Sequence, residues 1–221
     1  MGAAATAKRR VGRPARLSRE AIVEAALALL ERAPHDPLTV ARIADEVGAV
    51  PAALYRHFAS LDELLDGVLG RVLGSVELEI RRRAPWQEQI RDWMRSLRDH
   101  LLRYPAVLPL IGRRGRTSPA WLDACSVQVE ILERSGLRGA LLARAHLWIL
   151  ETTMGVVMQE ASLSLPEQIA AARVSLPQMS GAGRARLAPL MTHLAKVDGD
   201  AFFAFVSDRA IAALVDLSEA R

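Results

Sequence analysis

A single cysteine, Cys125, in 221 residues leaves no intrachain disulfide and fits a reducing compartment, so a cytoplasmic location is expected. Aromatic residues make up only 5%, and the core must be built mainly from aliphatic side chains and alanine. No run approaches about 18 consecutive apolar residues, so no membrane span is expected. No signal peptide is expected either, because the first basic residues follow small ones and no apolar stretch comes next. Met1-Gly2-Ala3-Ala4-Ala5-Thr6 formally matches an acylation pattern, but a plain tail is the simpler reading. The motifs HExxH, GxSxG, P-loop and GxGxxG are all missing. The histidines at 35, 57, 100, 146 and 193 are dispersed, so neither a catalytic constellation nor a metal or cofactor site is expected. No alternating strand pattern and no internal repeat occurs.

Charge is present but unevenly placed. The net charge is +4, and residues 1–17 hold five basic side chains (Lys8, Arg9, Arg10, Arg13, Arg16) with no acid. The rest keeps 24 basic groups, five fewer than the whole chain's 29, against 25 acidic ones. The body is therefore balanced and the excess sits in a short arm. Such an arm seeks a polyanion, nucleic acid first and an anionic membrane second.

Beyond the arm, helical periodicity runs throughout. Ser18 caps a first helix striped by Ile22, Ala26, Leu29, Leu30 and Ala33, ended by Pro34 and Pro37. Thr39 caps the second, Gly48 closes it, and Pro51 suits the first turn of the third. Ser60 and Glu63 predict a capping box for a fourth helix striped from Leu61 to Val76, with Arg81, Arg82 and Arg83 at its negative end. Its glycines, Gly67, Gly70 and Gly74, point to close helix contact or to a yielding joint. Further helices are expected over 85–104, 106–112, 119–135, 138–163 and 200–218, with 112–117 a basic loop and 175–183 a flexible one. The two helices at 138–163 and 200–218 are apolar on more than one face, which suits a core and a subunit interface together.

Thr39 to Leu65, TVARIADEVGAVPAALYRHFASLDELL, carries the most information. Ala44, Gly48 and Leu54 have the spacing of a helix-turn-helix: a small residue where helices cross, a turn residue tolerant of positive φ, and an apolar side chain pointing back. The outer face of the second helix then presents itself to a major groove.

With Leu54-Tyr55-Arg56-His57-Phe58 and Leu64-Leu65 following, the chain resembles the tetracycline-repressor (TetR) family of bacterial transcription regulators over residues 18 to about 69. Thr153-Met154-Gly155-Val156-Val157 and Asp200-Ala201-Phe202-Phe203 are similar to the C-terminal domain of the tetracycline-repressor subgroup. The resemblance implies an all-α fold of about nine or ten helices and a homodimer, paired through helices near 138–163 and 200–218. It divides the chain into a basic arm (1–17), a DNA-binding head (18–64) and a ligand-binding and dimerisation domain (65–221). It implies phosphate contacts at Thr39, Tyr55 and His57, joined by Lys8, Arg9, Arg10, Arg13 and Arg16 of the arm. Two positions depart from the family pattern: Leu61 stands where a lysine is usual, and Val50 where a hydroxyl cap is favoured.

Val50, Pro51, Ala52 and Ala53 cannot donate hydrogen bonds through their side chains and are expected to touch thymine methyls, which leaves Arg42 and Arg56 to read base edges. Gly12-Arg13-Pro14 resembles a minor-groove hook, or serves as an electrostatic tail. A pocket for a small-molecule inducer is expected among Trp93, His100, Trp121, Cys125, Gln128, Glu151, Met154, Met158 and Gln159. The positions for a magnesium–drug chelate are not kept, since Gln159 stands in place of an acid, and a mostly apolar organic inducer is the better match. The expected function is a ligand-responsive repressor acting on a palindromic duplex operator, with no membrane partner. The alternatives are a DNA-binding architectural or cell-division protein of the same fold, and a helical-bundle enzyme carrying a DNA-binding head.

Overall fold

The first two helices of the head begin where a hydroxyl can accept an unused backbone N–H. In the computed structural model, which describes residues 17–34, 36–111 and 118–219, Ser18 Oγ accepts from Ala21 N at 3.1 Å and opens α1 (Arg19–Arg32). Thr39 Oγ1 accepts from Arg42 N at 3.3 Å and opens α2 (Val40–Glu46). Gly48 follows with φ +65°, and Ala49 N donates back to Ala44 O at 2.9 Å, closing the tight turn. α3 is short, Pro51–Leu54, with Val50 in extended conformation before it and no side-chain cap. Arg32 pairs with Glu46 at 2.6 Å and ties the last turns of α1 and α2 together. Ile22, Ala26, Ile43, Ala44 and Leu54 are almost fully enclosed and form the centre of this unit.

α4 (Leu61–Gly74) begins after Ser60, whose Oγ accepts from Glu63 N at 3.1 Å. The return half of the expected capping box is shifted: Glu63 Oε2 accepts from Ala59 N at 2.6 Å. The helix stops at Gly74, earlier than the periodicity through Val76 predicts, so Arg81, Arg82 and Arg83 do not lie at its end. Arg81 instead grips α5, its guanidinium 2.9 and 3.0 Å from the two oxygens of Asp92, with its backbone N–H at 3.1 Å. Burial pushes the Asp92 carboxyl upward, but these contacts outweigh it and hold the group below the usual carboxylate range. A Cβ on Gly70 or Gly74 would meet nothing within 4 Å, so close helix contact does not account for these two glycines.

By contacts the chain divides into two compact units, one through Leu64 and one from Leu65. In the second, α5 (Trp86–Leu102) packs against α6 (Pro119–Arg134), α7 (Gly139–Ser162) and α10 (Gly199–Glu219), and α7 also packs on α6 and α10. A 3-10 turn, Pro105–Leu110, follows α5. Arg98 of α5, 7% exposed, binds both oxygens of Glu160 on α7 (2.7 and 2.8 Å) and Asp200 of α10 (2.8 Å). Its guanidinium also lies 4.9 Å from the Phe203 ring centre, so one cation joins three helices.

The stretch expected as a flexible loop, 175–183, is ordered helix and turn. α8 (Leu165–Ser175) runs into a 3-10 turn at Leu176–Gln178, and Ser180 then caps α9 (Gly181–Leu194). Proline and glycine here mark helix starts rather than breaks. α8 and α9 bury little, Ile169 and Met191 being their enclosed side chains. No strand occurs among the described residues, and the basic loop at 112–117 and the N-terminal arm through residue 16 lie outside them.

α7 also corrects the reading of apolar runs. By length and composition alone it is long and apolar enough to cross a bilayer. The consecutive-run count missed it because polar residues interrupt it at intervals. Most of its apolar stretch is not buried within the chain. Leu147, Trp148 and Met158 on α7, and Phe202 and Phe205 on α10, are large apolar side chains left exposed.

Candidate nucleic-acid interface

The head places its second helix by burying one face and leaving the other bare. Leu54 (2% exposed) points inward with Ala44 (0%), as the spacing predicts. Val50 (66%) and Tyr55 (56%) stand out from the surface, and Pro51, Ala52 and Arg56 are exposed beside them. His57 is half-buried and Thr39 is exposed at the start of α2.

Ala53 is a correction. It was expected to reach a base, yet it is buried with Leu54, because in so short a helix successive residues 53 and 54 both fall on the packed side. Arg42 donates from its guanidinium to Pro37 O at 2.8 Å and pairs with the exposed Asp36 at 3.2 Å, contacts it would exchange in order to reach a base edge. The arm residues Lys8, Arg9, Arg10, Arg13 and Arg16 lie outside the described residues.

Sequence reasoning missed Arg19. Its Nη1 donates to the His57 carbonyl at 2.6 Å and lies 2.9 Å from Glu63 Oε1, while its guanidinium sits 4.1 Å from the Phe58 ring centre. Only the separation of 38 residues hid it; no local pattern announces such a bond.

The nine expected ligand contacts are spread over α5, α6 and α7. Trp93 is fully enclosed, its Nε1–H donating to Ala124 O at 2.9 Å. Gln128 is enclosed too, accepting from His146 Nδ1 at 2.7 Å and donating to the His146 carbonyl. His100 Nε2–H donates to Val72 O at 2.8 Å, its Nδ1 faces Arg103 Nη2 at 3.3 Å, and burial holds the imidazole below its usual range. Cys125 is buried, its thiol pushed up to about 11 by desolvation. Trp121 and Met154 are half-buried, whereas Glu151, Met158 and Gln159 are exposed. The enclosed ones among them have spent their polar groups on neighbouring atoms, and Trp121 and Met154 stand between core and surface.

Gln159 lines a small cavity of about 60 Å³ beside Phe202 and Leu165. A larger cleft of about 400 Å³ runs between α5 and α10, lined by Arg91, Arg95, Arg98, Asp99, Asp200 and Phe203. Its charges are largely spoken for: Arg91 binds Asp208 at 2.7 Å, and Arg98 is saturated by Glu160 and Asp200.

Residues 22–68 match the family of bacterial regulatory proteins of the tetR type, and residues 82–215 match the tetracyclin repressor-like C-terminal domain. Over 173 residues the chain is 30% identical to the class D tetracycline repressor protein of Escherichia coli, covering 75% of this chain and 77% of that one. An HTH-type transcriptional regulator of Saccharopolyspora erythraea is 29% identical over 145 residues, covering 66% of this chain and 61% of that relative's length. Among solved structures, the Streptomyces coelicolor TetR family protein ActR in complex with (S)-DNPA superposes with a TM-score of 0.75. It is 26% identical and covers 91% of this chain and 98% of its own. Both domains are matched, and the chain belongs to the TetR family of bacterial regulatory proteins.

Proposed function

We propose that this protein is a dimeric, ligand-responsive transcriptional regulator that represses by occupying a palindromic operator and leaves it when an organic inducer binds. The observation that carries the reading is the bare outer face at Val50, Pro51, Ala52 and Tyr55, held out by the buried Leu54 and the Gly48 turn. An apolar patch at the tip of a helix-turn-helix suits thymine methyl groups in a major groove. Tyr55, His57 and Thr39 then position the head on phosphates, and Arg56 is the side chain left to read a base edge. The basic arm adds sequence-independent attraction.

A helix-turn-helix reads one half-site, so a palindrome needs two copies. The exposed Leu147, Trp148, Phe202 and Phe205 supply the partner face, with α7 and α10 of each copy forming a four-helix contact. This reading assigns the apolar surface of α7 to protein rather than to lipid, and places the protein with the DNA in the cytoplasm. Ligand response rests on the likeness, across both domains, to a relative solved with a bound small molecule. Repression rests on the likeness to the tetracycline repressor. An inducer in the second unit, near Trp121, Met154 or Gln159, shifts the population toward a form whose two heads no longer match adjacent grooves.

Selection of duplexes from a randomised pool by the full chain tests this. A two-fold symmetric site, bound by a dimer, is the expected result. A monomer that retains no duplex at low ionic strength overturns it.

A further inference from the structure

The reading helix is too short to hold its own shape. Four residues make α3, and an isolated helix of that length is far below the size at which helices persist in water. Its last carbonyls need donors from elsewhere. Leu54 O receives His57 N at 2.9 Å and Phe58 N at 3.1 Å, which carries the turn as far as residue 58. His57 O has no such local donor in the turn and receives Arg19 instead.

We infer that Arg19 is a positioning residue for DNA reading: it clamps the turn that carries Tyr55, Arg56 and His57, without touching DNA. The proposal rests on the DNA-binding reading above. Arg19 is the first residue of α1, so its backbone is fixed by the Ser18 cap. Its planar guanidinium does three things at once, donating to the His57 carbonyl, pairing with Glu63 and stacking on Phe58, which is 3% exposed. Glu63 completes the clamp through its other oxygen, which accepts from Ala59 N at 2.6 Å. The carbonyl of 57 and the N–H of 59 are thus held from two helices by one ion pair. A lysine could supply the charge and donate to both oxygens, but it lacks the flat guanidinium that lies over the Phe58 ring.

Charge alone makes the opposite predictions. Arg19 is partly exposed, and as a plain phosphate contact it would be replaceable by lysine. Glu63 is an acid near the proposed DNA face, and its removal would strengthen binding to any duplex on electrostatic grounds.

The test uses the full chain with Arg19→Ala, Arg19→Lys and Glu63→Ala, titrated against a duplex selected by the wild type and a scrambled duplex of equal length, across a salt series. Melting temperatures fix a working temperature at which every variant is folded; if Arg19→Ala is not, Arg19→Lys and Glu63→Ala decide. The clamp predicts that all three lose about tenfold for the selected duplex, keep their affinity for the scrambled one, and keep the wild-type salt slope. Wild-type binding by Arg19→Lys overturns it, as does a salt slope reduced by about 0.9 in Arg19→Ala, or tighter binding of both duplexes by Glu63→Ala. A wild type that selects no duplex at all defeats the DNA reading itself, and the clamp with it.

Discussion

Cys125 shows how burial alone decides a side chain's chemistry. Its thiol is desolvated on the inner face of α6, and the thiolate is disfavoured until about pH 11. Alkylation requires the thiolate, so the folded protein should resist iodoacetamide at neutral pH while the urea-unfolded chain reacts readily. Mass spectrometry of timed samples reads this directly, and equal rates in the two states would show the thiol to be open. At this scale the sequence was partly readable. Ser18, Thr39 and Gly48 act on neighbours three or four residues away, and their types name their roles. Ala52 and Ala53 are the same residue type side by side, yet one is exposed and the other buried, a difference set by the rotation of α3 rather than by composition. Arg42 reads as a base reader because Val50, Pro51, Ala52 and Ala53 offer no side-chain donor; its contacts with Asp36 and Pro37 O come from the preceding loop, which the sequence pattern does not show.

Among the elements, α4 has the most unusual composition. Gly70 lies mid-helix with open space where a Cβ would go. Gly70→Ala should therefore stabilise the protein by about 1 kcal/mol through helix propensity. The same change at Gly48 should destabilise by about 1 kcal/mol, because a positive φ of 65° strains an L side chain. Urea midpoints of the two variants, moving in opposite directions from the wild type, check both; two shifts of the same sign would refute the pair. Element ends were read less well than element cores. Val76 continues the apolar period of α4, but the backbone leaves the helix at Gly74, and the Arg81–Asp92 contact that follows lies across a turn the period cannot show. The prolines and glycines of 165–194 looked like punctuation, although Pro166 and Gly181 sit in first turns, where their missing N–H or Cβ costs little.

For the whole molecule, the unspent apolar surface of α7 and α10 is the dominant fact. Phe205 is 61% exposed and makes the most direct probe of the proposed pairing. Phe205→Glu should leave the fold of one chain intact, since the side chain is outside the core, but should convert the dimer to monomer by placing like charges at a two-fold contact. Sedimentation or light scattering reads the mass, and a dimer that survives the change would move the interface elsewhere. The exposed apolar faces of α7 and α10 were legible in outline, because the two helices carry apolar residues on too many faces for a single core. The partners of the buried polar groups were not: Trp93, His100 and Gln128 have spent theirs on Ala124 O, Val72 O and His146, contacts made between helices that no local pattern shows.

The placing of the tryptophans gives the molecule an optical gauge. Trp93 is sealed inside at 0% exposure, while Trp148 lies on the proposed pairing face at 41%. In the proposed pair the second ring would lose water and shift its emission while the first would not, over a background from the half-buried Trp86 and Trp121. Dilution of the protein would then report, without any label, the moment at which two chains separate.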